Sequence, residues 1–499
     1  MKNAIIHEVL KNALDKWTKK GFIYTRNGGT FEPKTFGDAV YDTWALAESL
    51  LELGLQNKHI LIFGENSYEW AIADFAIMAY VGVSVAANKE WKKHDLINVI
   101  NIADVACVIY ANTRKEVINS LRSEFDIKFI SMQDDLPSLL QNGYELLSQK
   151  KKKDGFRIKS ADEMCKIYFT SGTTSVSKAV MLSDKNLFAG FASLYKRAPM
   201  DEIDKAYLFL PFSHTYGGVY NLLACLYFGN ALYLCSDTDR MFEEMQMCSP
   251  TVFCGVPLIY ERVYGMLGEE TIRQAQIEQN QAVIQKIKAM FGGNIKYLFC
   301  AGAKQNVAVR KFFKDIGFCM LEAYALTETA SSLSIEYIGS TSLTSVGTIY
   351  EDLEVAFADV DENGHGEVLV RGDVVALGYY HNEQETKRAF DADGFFHTGD
   401  IGYKDEDNQL YLVGRKKRVI IFSNGENIYP DEIEELLMQH REVSKAKVFE
   451  KDGVLSAILY LKEEINAAQF IEKTNELLPT YKQIKTFETV TDSLRTRMK

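Results

Sequence analysis

Tyr168-Phe169-Thr170-Ser171-Gly172-Thr173-Thr174-Ser175-Val176-Ser177-Lys178 places six Ser/Thr hydroxyls, a glycine and a lysine between two apolar runs. Residues 164–169 before it and 179–182 after it are rich in strand-forming side chains, which predicts a β-hairpin with this stretch as its tip. A tip so dense in hydroxyls and backbone N–H groups suits a polyphosphate. Hydroxyls and amides donate hydrogen bonds, Gly172 allows close backbone approach, and Lys178 adds a point charge. A polar turn with a solvated lysine is the plainer alternative that this stretch alone leaves open. It is not the helix-opening P-loop, because no Gly-Lys-Ser/Thr begins a helix here.

Outward from the hairpin, strand-like runs alternate with amphipathic segments. Residues 60–63, 83–86 and 105–110 read as strands, and 35–53, 67–79 and 269–290 as helices. Thr35 is the expected N-cap of the 35–53 helix and Gly54 its stop. Such alternation predicts an α/β protein with largely parallel sheets. After Ala330 the segments shorten, with turns at Asn363-Gly364 and Asp393-Gly394, as in a small antiparallel or barrel-like subdomain. Gly414-Arg415-Lys416-Lys417-Arg418 is a charged junction, and a compact α+β unit follows. Two domains are expected, 1–413 and 414–499, since 499 residues exceed the size of a single core.

A formal charge of −12 argues against broad nucleic-acid contacts, so an anionic ligand must be held by a local cluster. Eight scattered cysteines, without C-x-x-C or zinc spacing, predict buried free thiols in a reducing, cytoplasmic setting. The first residues lack a signal-peptide core, and the longest apolar stretch, 75–87, is too short to span a bilayer. No integral membrane segment is therefore expected.

More motifs follow the hairpin. They are Leu210-Pro211-Phe212-Ser213-His214-Thr215-Tyr216-Gly217-Gly218, Ala301-Gly302-Ala303 and Glu322-Ala323-Tyr324-Ala325-Leu326-Thr327-Glu328. Gly378-Tyr379-Tyr380-His381-Asn382, Phe396-His397-Thr398-Gly399-Asp400 and Gly414-Arg415-Lys416-Lys417 complete the series. Together and in this order they resemble the adenylate-forming superfamily of acyl-CoA synthetases, peptide-synthetase adenylation domains and luciferases, over nearly the whole chain. The resemblance implies a large N-terminal AMP-binding domain of two doubly wound sheets plus a β-barrel-like subdomain, and a small mobile α+β C-terminal domain. It also implies a two-step reaction. A carboxylate attacks the α-phosphate of ATP, and a thiol then takes the acyl group from the adenylate.

On that resemblance Thr170, Ser171, Gly172, Thr173, Thr174 and Lys178 grip the β- and γ-phosphates, and Glu328 holds Mg2+, a hard ligand for a hard ion. Thr327 reaches the α-phosphate. Tyr324 stacks on adenine, with Gly302, Ala303, Glu322 and Ala323 around the base. Asp400 accepts from the ribose hydroxyls and Arg415 reaches ribose or phosphate. His214 stands at the mouth of the acid pocket, which Tyr216, Gly217, Phe253 and Ala325 line. Lys417 is the hinge, Gly425 lines the thiol tunnel, and Lys499 takes the place of the catalytic C-terminal lysine. Isolated from these motifs, Tyr324 would read as core packing, Asp400 as a turn aspartate, Glu328 as a surface carboxylate and His214 as structural.

The chain departs from the family pattern at Ser175, Ser177 and Ala179, where Gly, Pro and Gly are usual, and at Ala325, where glycine is common. Its last segment, Leu494-Arg495-Thr496-Arg497-Met498-Lys499, is one residue short and ends on the lysine. Phe212 occupies the place where amino-acid-activating domains carry an aspartate, which disfavours an α-amino acid. With Tyr216, Tyr220 and Phe253, an apolar or aromatic-lined pocket for a fatty or aryl acid is expected. Residues 415–430 look most like long-chain acyl-CoA synthetases. The acceptor stays open between coenzyme A and the phosphopantetheine of a separate acyl carrier protein, and a non-catalytic acyl- or nucleotide-binding relative is the competing class.

Overall fold

The computed structural model describes residues 4–150, 156–170, 178–421, 427–451, 454–463 and 465–491. The six positions Ser171, Gly172, Thr173, Thr174, Gly425 and Lys499 lie outside the described residues.

Two large sheets dominate. One has nine strands and is parallel through its centre, where Met320–Tyr324, Tyr297–Cys300, Val252–Gly255 and Lys205–Leu208 lie side by side. The other has seven, with Met164–Thr170 parallel to Val83–Ala87, and Lys178–Ser183 folded back antiparallel upon it. The hairpin of the opening stretch is thus present, with Thr170 paired to Lys178. Strands buried on both faces read as continuous apolar runs because helices cover each side. Among the described residues, the rest comprises an antiparallel four-stranded sheet (354–415), a two-stranded pair and a three-stranded sheet (443–491).

Local rules account for several elements. Thr35 caps helix Phe36–Glu52 in a capping box with Asp38, and Gly54 follows at φ +77°. The expected helix 269–290 is two helices, Pro257–Gln276 and Gln281–Met290. The break falls where Gln279 turns to φ +52° and the Asn280 side chain caps the second helix by accepting from the Ala282 N–H. All eight cysteines are free, six of them buried. No helix of the described residues is long and apolar enough to cross a membrane.

A buried ion pair braces the base of the hairpin. Lys166 bonds Asp74 and Ser84 while its ammonium lies 4.9 Å from the Trp70 ring centre and 5.0 Å from that of Tyr168. Burial lowers the Lys166 pKa and Asp74 opposes that shift.

Candidate active site

Four neighbouring parallel strands send their carboxyl ends to one crevice, the usual ligand position of an open α/β sheet. Strand Lys205–Leu208 leads to the His214 segment and Val252–Gly255 ends on Gly255. Tyr297–Cys300 leads to Ala301-Gly302-Ala303, and Met320–Tyr324 leads to Thr327 and Glu328. The hairpin of the second sheet and the Asp400 strand meet them. Neighbours in space are therefore far apart in sequence.

Tyr324 is buried and donates its hydroxyl to Asp400 Oδ2 at 2.5 Å, while Arg415 Nε stands 2.9 Å from Asp400 Oδ1. Burial raises the Asp400 pKa, and the Arg415 guanidinium and the Tyr324 hydroxyl pull it back down. Gly302 is exposed at φ +89°, and the nearest atom to an added Cβ is 3.8 Å away. Backbone conformation demands glycine there, and the space above it is free for a flat base. Ala303 is exposed beside it and Ala323 half-buried.

Glu328 lies on the turn Thr327–Thr329 and accepts from the Tyr379 hydroxyl at 2.9 Å. Lys178 sits 4.7 Å from the centre of the Tyr379 ring and pairs with Glu385 at 2.9 Å. Tyr379 therefore joins the lysine of the hairpin to the carboxylate of the turn. Its strand, Gly378–Tyr379, adds to Lys178–Ser183. Nothing in the sequence pattern around Gly378-Tyr379-Tyr380-His381-Asn382 marks Tyr379 for this place.

His214 caps the short helix Thr215–Gly217, its Nδ1 accepting from the Tyr216 N–H at 3.1 Å. That bond fixes the neutral tautomer with Nε2–H left to donate outward. Water reaches the ring, yet the surrounding protein desolvates it and lowers its pKa. Gly217 is required for packing, since a Cβ would stand 2.2 Å from the Pro211 carbonyl oxygen. Tyr216 is buried, its hydroxyl donating to the Gly255 carbonyl at 3.3 Å. Ala325 and Thr327 are half-buried at the carboxyl end of the Tyr324 strand.

Two expected residues turn elsewhere. Phe253 points to the opposite face of its strand, packed against Tyr207, Tyr260 and Phe291, so it does not line the acid pocket. Its neighbour Cys254 is the one that shares a core with Tyr216. The Glu322 carboxylate also leaves the crevice. It accepts from the Gln305 N–H at 3.2 Å and lies 3.7 Å from buried Arg310, which also pairs with Glu336. Burial pushes Glu322 up to about 7.

At the junction, Lys416 pairs with Asp359 and Glu367 of the antiparallel sheet, whereas Arg418 pairs with Asp431 and Glu434 beyond it. Lys417 lies between these anchors, exposed. Further contacts across it are Lys304–Glu435, Arg441–Glu269 and the Tyr429 hydroxyl on Asp361.

Among the described residues no group of three or more His, Cys, Asp or Glu could hold a metal. One carboxylate, Glu328, remains available beside the hairpin. That donor set fits Mg2+, which keeps its waters and takes one or two carboxylates plus substrate phosphates.

The family model described as "AMP-binding enzyme" matches residues 13–380. Long chain acyl-CoA synthetase 7, peroxisomal, of Arabidopsis thaliana is 27% identical over 494 residues, covering 88% of this chain and 70% of that protein. Long-chain-fatty-acid–CoA ligase FadD15 of Mycobacterium tuberculosis is 27% identical over 463 residues, covering 84% and 76%. ATP-bound MatB from Rhodopseudomonas palustris superposes with a TM-score of 0.82 at 23% identity, over 99% of this chain and 95% of that one. The o-succinylbenzoate coenzyme A synthetase of Bacillus subtilis, in complex with ATP and magnesium ion, superposes with a TM-score of 0.78 at 20% identity, over 97% and 95%. These two structures share the fold.

Proposed function

Because the chain belongs to the AMP-binding enzyme family, we propose that it joins a carboxylic acid to the thiol of coenzyme A through an acyl-adenylate. What supports this reading is that Lys178 meets Tyr379, Tyr379 meets Glu328 and Tyr324 meets Asp400, with His214 on the segment that follows one of the neighbouring parallel strands. The names of the acyl-CoA synthetase and fatty-acid–CoA ligase relatives support a fatty acid as substrate and coenzyme A as acceptor.

In the first step a carboxylate oxygen bonds to the α-phosphorus and the bond to the β-phosphate oxygen breaks, releasing pyrophosphate. Such a transfer needs alignment and charge neutralisation more than covalent help. Thr170, Ser171, Gly172, Thr173, Thr174 and Lys178 hold the triphosphate, and Thr327 orients the α-phosphate. Tyr324, Gly302, Ala303 and the Ala323 backbone hold the base, and Asp400 and Arg415 the ribose. His214 donates Nε2–H to the incoming carboxylate, a role its fixed neutral tautomer suits. Glu328 would hold Mg2+, which would supply positive charge to the phosphates. Lys499 serves as the lysine that offsets the developing charge. In the second step the thiol sulfur bonds to the acyl carbon, the bond to AMP oxygen breaks, and the thiol proton leaves to solvent.

The chain divides for this cycle into 1–413 and 414–499, turning at Lys417, with Gly425 beside the thiol path. Pyrophosphate release on mixing with ATP, magnesium and a panel of fatty and aryl acids tests the first step. Adding coenzyme A or a phosphopantetheinylated carrier protein tests the acceptor. ATP binding with no release across the panel would leave a nucleotide-binding relative instead. Lys499→Ala should abolish ATP–pyrophosphate exchange, and unchanged exchange removes Lys499 from the mechanism.

A further inference from the structure

Lys178, the cation of the hairpin, is already paired. Its ammonium stands 2.9 Å from Glu385 Oε2, over the ring of Tyr379. The pair is no chance crossing of two surface side chains. Glu385 lies in the first turn of helix Glu383–Ala389, and that helix is clamped to the strand Gly378–Tyr379. Thr386 Oγ1 accepts from the Tyr379 N–H at 3.0 Å and donates to the Asn382 carbonyl at 2.8 Å. Gly378 lets the helix come this close, since an added Cβ would stand 2.7 Å from Thr386 Cγ2. The strand in turn pairs with Lys178–Ser183. One assembly therefore carries the lysine, the tyrosine and the carboxylate together.

Glu385 has a second partner. Its other oxygen, Oε1, takes Arg388 Nη1 at 2.7 Å, three residues along the same helix. Lys178 and then Arg388 hold the Glu385 carboxyl below the ordinary range, so it is charged at neutral pH. The side chains of Lys178, Glu385 and Arg388 are 25%, 30% and 65% exposed. Lys178 is thus the inner member of the three, next to Tyr379 and, through the tyrosine hydroxyl, Glu328. A polyphosphate at the hairpin and the Glu385 carboxylate compete for one ammonium, and two anions that close repel each other. Arg388 lets the carboxylate give up Lys178 without being left unpaired. The preference of a helix's first turn for an acidic residue does not account for the arrangement, because Glu383 serves that purpose as well.

We propose that Glu385 is a resident counter-ion of the phosphate lysine, displaced from Lys178 by the triphosphate and regaining it as pyrophosphate leaves, with Arg388 as the alternate partner of the displaced carboxylate. The proposal rests on the placement of the phosphates at the hairpin and deepens it by naming the residue that sets how tightly they are held. Glu385 thereby loosens the hold on pyrophosphate and favours its release.

The test is calorimetric binding of magnesium pyrophosphate, and of ATP with magnesium, to the full chain at low salt, where charge pairs are least screened. Wild type, Glu385→Gln and Arg388→Gln are compared. Glutamine keeps the side-chain length, and the Asn382 cap uses the backbone N–H of residue 385, so the helix is retained, which thermal unfolding checks. Glu385→Gln should bind both ligands roughly two- to fivefold more tightly, the range that a partly exposed ion pair allows. Arg388→Gln should bind them more weakly by a similar factor, because Glu385 then has Lys178 alone. A merely structural contact would move both variants the same way. In a Lys178→Met background the effect of Glu385→Gln on ATP binding should vanish. Shifts of equal sign in the two variants, unchanged or weaker binding by Glu385→Gln, or a gain that survives without Lys178 overturns the exchange. A wild type that binds neither ligand removes the phosphate site and this proposal with it. Shifts of the expected signs without pyrophosphate release on the acid panel keep the exchange and remove the ligase, and release with binding unaltered by either variant does the reverse.

Discussion

Asp400→Asn is the sharpest test of the nucleotide pose. The carboxylate is 5% exposed and spends Oδ2 on Tyr324 and Oδ1 on Arg415. A ribose diol reaching it must share or displace Arg415, whose side chain is 54% exposed and can swing into solvent at little loss. Asparagine preserves the shape and one acceptor for the Tyr324 hydroxyl, so the fold should be nearly untouched. Lost is the charge on two ribose hydrogen bonds. Charged bonds contribute roughly 1.5–3 kcal/mol and neutral ones about 1, so two of them give about 2 kcal/mol. That corresponds to roughly thirtyfold weaker ATP binding. Asp400→Ala should cost more, and it also leaves the buried Tyr324 hydroxyl without its acceptor, a further 1–3 kcal/mol, approximately, of stability. Titration calorimetry with ATP and magnesium, alongside thermal unfolding, reads both quantities. An asparagine variant that unfolds normally and binds ATP within twofold of the wild type would refute the placement of the ribose.

Glu322 has its pKa raised from 4.5 to about 7, so the folded chain holds a proton there that the unfolded chain releases. Stability from this group is therefore full below about pH 4.5 and declines as pH rises toward 7, by at most about 3 kcal/mol. Glu322→Gln should flatten that decline in urea titrations between these pH values, and an unchanged slope would contradict it. Lys166→Met strands the Asp74 carboxylate in the core and should lower stability by about 3–5 kcal/mol. The double variant Lys166→Met/Asp74→Leu should recover much of it, and a double variant no better than the single would count against a buried pair. Lys417→Pro fixes φ at the proposed turning point. It should leave ATP–pyrophosphate exchange within a few-fold of normal while slowing acyl transfer to coenzyme A far more, and an equal loss in both steps would place the turn elsewhere.

Features set by neighbouring residues were legible in the sequence. The hairpin announced itself by hydroxyl density between strand-like runs, and the Thr35 cap by its partner Asp38 three residues on. Features set by pairing across the fold were not. Tyr379 acquires its place between Lys178 and Glu328 only because its strand adds to Lys178–Ser183, some 200 residues earlier. Phe253 lies on a strand buried on both faces, where the alternation of side chains names two faces without saying which one meets the acid. Residues 269–290 read as one helix because both halves are good helix formers. The signal that divides it is the single Asn280 cap. The Tyr220 hydroxyl meets Ser332 and Tyr350, with Gly190 pressed close to both Tyr220 and Ser332, and no local pattern could have joined these distant segments.

The junction's ion pairs bear on why the proposed turn at Lys417 would cost little. Arg415 and Lys416 are tied to Asp400, Asp359 and Glu367, and Arg418 to Asp431 and Glu434, so rotation between them keeps every one of these pairs. What would part in such a turn are Lys304–Glu435, Arg441–Glu269, the bond from the Tyr429 hydroxyl to Asp361 and the long 3.5 Å bond from Asn306 to the Met438 carbonyl. The two ion pairs are exposed, each worth about 0–1 kcal/mol. The apolar contact of Tyr429 with Ile401 and Val413 lies close to the pivot, where rotation displaces it least. On the proposed reading, a docked arrangement held in this way would be exchanged for another by the binding and release of nucleotide, whose ribose would compete for Asp400 with Arg415, two residues from the pivot.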